Sequence, residues 1–373
     1  MEKKIKVLHV VHLVGGVETC VRQIAKNIDN SSINLIVACQ NLKNKNFIKD
    51  NTNNHIKTYY LPIVREISPI RDIISVLLLI KILYLEKPDA VHVHSAKAGV
   101  IGRIANIFFK KPLLYTPHAF SYLSARKQFK KQFFLFIEKI LRFRHVLLLA
   151  TSESEKDRAI DEVGYENNQT VVLDNAINPI QTNTTNSSKV NHKEYICSLG
   201  RPSYQKNTEM LLNVFEELSK RFHKLHLYIV GAGEYSPELV KVKEIIATKK
   251  ITDRVTIIPW ITRVEAMTIL KFSKLYVSTS IYEGMPYAVI EALYLQKAMV
   301  LTNCDGNKDL IQDNFSGFLV KSKKEMINKI SLLLKDDTKR KQFEANAHKE
   351  YLKRHQIETY IQKLTKIYKN ITK

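Results

Sequence analysis

Apolar and polar positions follow two alternating rhythms along the chain. Residues 5–14, 35–39, 90–94 and 113–116 are short runs, rich in β-branched residues and almost continuously apolar, with helical spacing between them. A strand with one wet face alternates apolar and polar residues, whereas an unbroken apolar run is covered on both faces. The pattern therefore predicts central strands of a parallel sheet flanked by helices. It lapses at "NPIQTNTTNSSKVNHK", residues 178–193, a stretch rich in Asn, Thr and Ser with no hydrophobic period. Strand patterns then resume in "EYICSLG", "LHLYIVGAG", "VTIIP", "LYVSTS" and "AMVLT", each followed by a helical pattern. That predicts a second doubly wound domain.

The expected architecture is α/β, with two doubly wound Rossmann-like domains facing across a cleft between their strand ends. The boundaries are 1–180 for the first, 181–193 for a linker and 194–355 for the second, with a helix at 356–373 packing back on the first. A length of 373 residues suits two domains. The start, "MEKKIKVLHVVHLVGG", runs into Gly-Gly without a small-residue cleavage site and reads as a buried strand, not a signal peptide. The most apolar run, "IISVLLLIKILYL" at 73–85, is broken by Lys81 and falls short of the ~20 residues of a spanning helix.

Composition changes the picture in one respect. A net charge of +22 points to an anionic partner, whether nucleic acid, a membrane surface or a phosphorylated ligand, although a lysine-rich surface accounts for it equally. The widely separated Cys20, Cys39, Cys197 and Cys304 form neither a metal-spaced pair nor a disulfide scaffold, which fits a reducing cytoplasm.

The candidate chemistry lies where strand patterns end. In "STSIYEGMPYAVIEAL", Gly284 supplies a turn and Pro286 suits a first helical position, so the amides of Met285, Pro286's successor Tyr287 and Ala288 meet the positive end of a helix dipole. Glu283 would point into the cleft and Glu291 would reach a ribose whose phosphate lies at the helix start. A capping glutamate and a solvated one fit the same pattern. "SLGRPSYQKN" places Arg201 and Lys206 after a strand, where two cations can offset a diphosphate. Gly15 and Gly16 allow close approach of backbone to ligand after the first strand. His118 in "YTPHAF" follows another strand, while His92 and His94 in "VHVHSAKAG" share one sheet face and read as core. No D-x-D pair or His-Glu cluster stands at metal spacing, and no G-x-S-x-G elbow occurs.

The ordered set G-G-x-E, T-P-H, G-R-x-x-x-x-K, V-G-x-G and E-G-M-P-x-x-x-x-E resembles the retaining glycosyltransferases of family 4, which have a GT-B fold. "HSAKAGVIGRIAN" and "YTPHAF" resemble the branch that builds bacterial capsule, O-antigen and other surface polysaccharides. The resemblance implies that Gly15, Gly16 and Gly231 lie near the donor diphosphate and that His118 contacts the donor sugar. Arg201 and Lys206 would bind the diphosphate and stabilise the leaving nucleotide; Glu283 would bind sugar hydroxyls, the amides after Met285 the phosphate, and Glu291 the ribose. UDP is the default nucleotide, with GDP behind it. No cofactor or metal is implied. Two positions depart from the family pattern: Ala176 replaces a glycine in "DNAIN", and Glu234 stands where a small residue or proline is common.

The segment 121–145 interleaves Arg126, Lys127, Lys130, Lys131, Lys139, Arg142 and Arg144 with Phe129, Phe133, Phe134, Phe136 and Phe143, opposed only by Glu138. It reads either as an interfacial helix drawn to anionic lipid or as an ordinary helix with solvated lysines. On the first reading the acceptor is a lipid-linked saccharide and the protein sits on the inner face of the membrane. Two rivals remain: a nucleotide-sugar epimerase, and a basic nucleic-acid-binding protein, for which no helix-turn-helix, zinc-finger or RNA-recognition pattern is present. Nucleic acid is not the expected partner.

Overall fold

The structure, a computed structural model, describes residues 4–40, 48–143, 145–233 and 236–373. It divides into two compact units, Met1–Ala176 with Ile357–Lys373, and Ile177–Gln356.

The first unit is built on a seven-stranded parallel sheet among the described residues: β1 (Ile5–Val11), β2 (Ile33–Cys39), β3 (Lys57–Tyr60), β4 (Ala90–His94), β5 (Leu113–Thr116), β6 (Val146–Ala150) and β7 (Thr170–Val172), in the order β3-β2-β1-β4-β5-β6-β7. β4 and β5 are buried along their whole length, as continuous apolar runs require. β1 stops at Val11, three residues before the sequence pattern suggests. From there the backbone is met by a side chain, Leu13 donating to Gln40 Oε1 (2.9 Å) and Gln40 Nε2 donating to the Leu13 carbonyl (3.2 Å). The closing helix, Ile357–Ile371, belongs to this unit's core through Tyr360, Leu364 and Tyr368.

Helix Ser95–Asn106 lies directly on β4 and β5 because two of its residues lack side chains. A Cβ on Gly102 would stand 2.3 Å from Val93 Cγ1, and one on Gly99 2.5 Å from the Tyr115 ring. The same close packing buries Arg103 completely. Its guanidinium lies over the Tyr115 ring at 4.2 Å and pairs with Glu138 at 2.8 Å, while the Tyr115 hydroxyl donates to Glu138 at 2.9 Å.

Among the described residues the second unit repeats the plan with six parallel strands: β8 (Tyr195–Leu199), β9 (His226–Val230), β10 (Val255–Ile258), β11 (Leu275–Ser278), β12 (Met299–Thr302) and β13 (Phe318–Val320), ordered β10-β9-β8-β11-β12-β13. The polar stretch 178–193 is fastened to this unit: Asn183 N–H donates to Thr268 Oγ1 (3.0 Å), Asn191 N–H donates to the Tyr228 hydroxyl (3.2 Å), and the His192 ring stacks on His226 at 3.7 Å. In each sheet the chain order reverses between neighbouring strands, β1 and β4 in the first and β8 and β11 in the second. Connections leave such a pair in opposite directions, so their C-terminal ends are left open for a ligand.

Candidate functional site

In the second unit, the loops after β8, β11 and β12 are stitched together by Glu283. This carboxylate is buried and accepts from Lys206 Nζ (2.7 Å), Ser280 Oγ (2.7 Å) and Gln205 Nε2 (2.9 Å). A carboxylate removed from water requires this company. Glu283, which the sequence placed in the loop before the helix, is thus held among the loop side chains. Further bonds fix the same region: Ile281 N–H to the Gln205 carbonyl (2.8 Å), Thr279 Oγ1 to the Lys206 carbonyl (2.9 Å) and Glu283 N–H to the Asp305 carbonyl (3.2 Å). Gly306 completes the packing, since a Cβ there would lie 2.7 Å from the Gly284 carbonyl oxygen and 2.8 Å from Glu283 Cβ. Lys206 keeps a quarter of its side chain exposed, and Glu283 is the single partner of its ammonium among the described residues. An ammonium has three N–H donors, so two remain for an anion.

The turn leads through Gly284 and buried Met285 to Pro286, which caps helix Tyr287–Tyr294 instead of occupying its first turn. Its carbonyl accepts from Val289 N–H (3.1 Å) and Ile290 N–H (3.3 Å). Tyr287 and Ala288, half-buried, form the helix start, where the dipole favours negative charge. Glu291 is buried and paired with Arg263 Nη2 at 2.8 Å. Burial pushes its carboxyl above the usual range, with Arg263 pulling the other way. Gly231, at the end of β9 with φ +97°, approaches the Gly200 backbone, and half-buried Arg201 follows Gly200. Glu234 lies outside the described residues. Sequence reasoning missed Ser280, Gln205, Gly306 and Arg263, because nothing in the local pattern links them to Glu283 or Glu291.

In the first unit Gly15, with φ +60°, caps helix Gly16–Asn27, and both glycines are exposed. His118 (φ +53°) and Ala119 (φ +77°) form two consecutive left-handed residues, a conformation that costs about 1–2 kcal/mol per non-glycine residue. Buried Glu155 holds them. It accepts from Ala119 N–H (2.6 Å) and also from Thr151 N–H (2.7 Å) and Oγ1 (2.9 Å). His118 Nε2 lies 3.2 Å from His94 Nδ1, and burial lowers the His118 pKa to about 4, so the ring is neutral at pH 7. His92 and His94 are buried on one sheet face, as their alternation suggested.

The donor atoms of His9, His92 and His94 lie within 4.8 Å of one another, as do those of Cys20, His94 and His118. These are the described residues that could hold a transition metal. Motif spacing could not reveal them, because β1 and β4 bring distant residues side by side. All six ring nitrogens of His9, His92 and His94 already have protein partners.

Helix Gln128–Ile140 exposes Lys130, Lys131, Phe129, Phe133 and Phe136, with Arg126 and Lys127 exposed just before it; Phe134 packs against the core. Glu138, which in sequence opposes the charge, faces inward onto Arg103, so it does not offset the outer face. Arg144 lies outside the described residues.

Residues 14–181 match the family model described as Glycosyltransferase Family 4, and residues 180–350 the model described as Glycosyl transferases group 1. The chain is 28% identical over 337 residues to the UDP-Gal:alpha-D-GlcNAc-diphosphoundecaprenol alpha-1,3-galactosyltransferase of Escherichia coli, covering 85% of this chain and 84% of that one. It is 26% identical over 305 residues to the capsular polysaccharide biosynthesis glycosyltransferase CapM of Staphylococcus aureus, covering 78% and 79%. Among solved structures, the sucrose-phosphate synthase of Thermosynechococcus elongatus matches with a TM-score of 0.87 over 99% of both chains at 15% identity, which establishes a shared fold.

Because Ala119 holds a left-handed conformation that glycine adopts freely, Ala119→Gly is expected to stabilise the protein by about 1 kcal/mol in denaturant melts. A loss of stability would contradict the strained geometry of this loop.

Proposed function

From the premise that the chain belongs to the family 4 glycosyltransferases and has the GT-B fold, we propose that it carries a sugar from a UDP-sugar to a saccharide or lipid-linked saccharide, with retention of configuration, in cell-surface polysaccharide synthesis. The names of the Escherichia coli and Staphylococcus aureus relatives support the nucleotide, the acceptor class and the pathway class. The observation that carries the reading is Lys206, held by Glu283 with two donors to spare, in the loops that lead to the helix start at Tyr287.

Arg201, Lys206 and the amides of the first helical turn oppose the charge that grows on the departing diphosphate, which is electrostatic stabilisation of the transition state without a metal. Glu291, on the same helix, accepts from the ribose hydroxyls while it keeps its ion pair with Arg263. Glu283 already accepts from Lys206, Ser280 and Gln205, which lowers its nucleophilicity. Attack by the acceptor hydroxyl on the face the nucleotide leaves follows: the anomeric carbon–phosphate oxygen bond breaks as the new glycosidic bond forms, and the leaving phosphate takes the hydroxyl proton. His118 hydrogen-bonds the sugar being transferred.

The acceptor's lipid is matched by exposed surface on the first unit. Phe129, Phe136 and Ile140 stand out beside the lysines of one helix, and Ile70, Ile73 and Leu77 are exposed on helix Pro69–Glu86. Among the described residues no helix is long and apolar enough to cross a membrane. The reading is therefore attachment to the cytoplasmic face through anionic lipid.

UDP is expected to raise the melting temperature in the presence of EDTA, and Lys206→Ala to remove most of that rise and lower turnover on the order of a hundredfold. Unchanged turnover would take Lys206 out of the mechanism. Replacing Lys127, Lys130 and Lys131 with glutamine is expected to weaken binding to phosphatidylserine vesicles on the order of a hundredfold, at about 1 kcal/mol per lysine. Equal binding would make the segment purely structural.

A further inference from the structure

A single file of hydrogen bonds runs through the core of the first unit to His118. Thr116 Oγ1 lies 2.9 Å from His92 Nε2, and His92 Nδ1 lies 2.8 Å from the Tyr368 hydroxyl. That hydroxyl lies 3.0 Å from His9 Nε2, His9 Nδ1 lies 3.0 Å from His94 Nε2, and His94 Nδ1 lies 3.2 Å from His118 Nε2. Strands β1, β4 and β5, the turn after β5 and the closing helix contribute to it, and all its members except half-buried His118 are buried.

Burial holds each ring neutral, so each carries one proton and offers one donor and one acceptor. The tyrosine hydroxyl has one proton to share between two rings. Under these rules a choice at one end propagates to the other, and every ring must carry its proton on the same type of nitrogen. Thr116 makes the choice. Its buried hydroxyl has His92 Nε2 as its single side-chain partner among the described residues, and a buried O–H without an acceptor is costly. Thr116 therefore donates to His92 Nε2. His92 Nδ1–H then donates to Tyr368, Tyr368 to His9 Nε2, His9 Nδ1–H to His94 Nε2, and His94 Nδ1–H to His118 Nε2. His118 is left with its proton on Nδ1, the nitrogen with no hydrogen-bond partner among the described residues.

We propose that this chain locks His118 as a hydrogen-bond donor through Nδ1, so that it presents N–H, not a lone pair, to the oxygen of a bound ligand. His118 then positions and stabilises an oxygen of the transferred sugar or its phosphate and is not a base for the acceptor hydroxyl. Thr116, His92, Tyr368, His9 and His94 are positioning residues that act through it. The inference rests on the reading that His118 meets the sugar nucleotide.

Nitrogen-15 NMR of the full-length protein labelled at histidine tests it. All four rings are expected as neutral Nδ1–H tautomers in the wild type. Tyr368→Phe removes the hydroxyl that orders the inner rings, so His9, His94 and His118 are expected to lose the single tautomer, and turnover to fall on the order of tenfold with little change in the donor KM. An Nε2–H tautomer at any of the four rings in the wild type overturns the proposal, a result that does not depend on the variant folding. So does loss of the tautomer in Tyr368→Phe with turnover unchanged. Uptake of one equivalent of added zinc with loss of the His9, His92 and His94 N–H signals also overturns it. Unchanged turnover in His118→Ala would instead overturn the premise that His118 meets the sugar, whatever the spectrum shows.

Discussion

A carboxylate taken out of water must be surrounded by donors, and this constraint shapes each segment to which a role is assigned. Glu283 gathers Lys206, Ser280 and Gln205 and thereby joins the loops after β8 and β11. Glu155 gathers Ala119 and Thr151 and so holds His118 in a backbone conformation that it would otherwise leave. Glu138 gathers Arg103 and Tyr115 and pins the inner face of the basic helix. Removing one partner of a fully buried ion pair such as Glu138–Arg103 typically costs about 3–5 kcal/mol, which makes it a rigid point. Geometry at the surface is thus set by charge beneath it.

These clamps sit at places chosen by topology. In both sheets the strand order reverses at one pair, and the loops that leave it diverge. Lys206 and the turn at Gly284–Pro286 follow the reversing pair β8 and β11, and Gly15 follows β1 of the pair β1 and β4. Short strands buried on both faces are rigid, so the loops inherit fixed anchors. The proposed chemistry needs only side chains and amides added to those ends, so one plan, used twice, can carry different sites on its two units.

Much of this was legible in the residues. The continuous apolar runs at 90–94 and 113–116 coincide with β4 and β5, and the turn "EGMP" marks a real helix start. The cation at Lys206 and the glutamates at Glu283 and Glu291 were recognisable as types in a sequence pattern. Their partners were not, because Gln205–Glu283 and Arg263–Glu291 contacts depend on which loops the sheet places side by side. The donors that surround Glu283 were hidden for the same reason, since Ser280 and Gln205 carry no mark in the local pattern. The histidine chain was hidden most completely, since His9, His92 and Tyr368 come from two strands and the last helix, and no spacing joins them. Pattern exposes what one element does; it is silent on what several elements do together.

The central claim is that a diphosphate is held in the second unit by Lys206 and the start of helix Tyr287–Tyr294. A crystal structure of the protein with UDP, grown without divalent metal, addresses it most directly. The account predicts diphosphate oxygens at about 3 Å from Lys206 Nζ and from amides of the helix start, with Glu283 still on the same ammonium and the ribose beside Glu291. A nucleotide bound elsewhere, or a diphosphate that leaves Lys206 bonded to Glu283 and solvent alone, would contradict it.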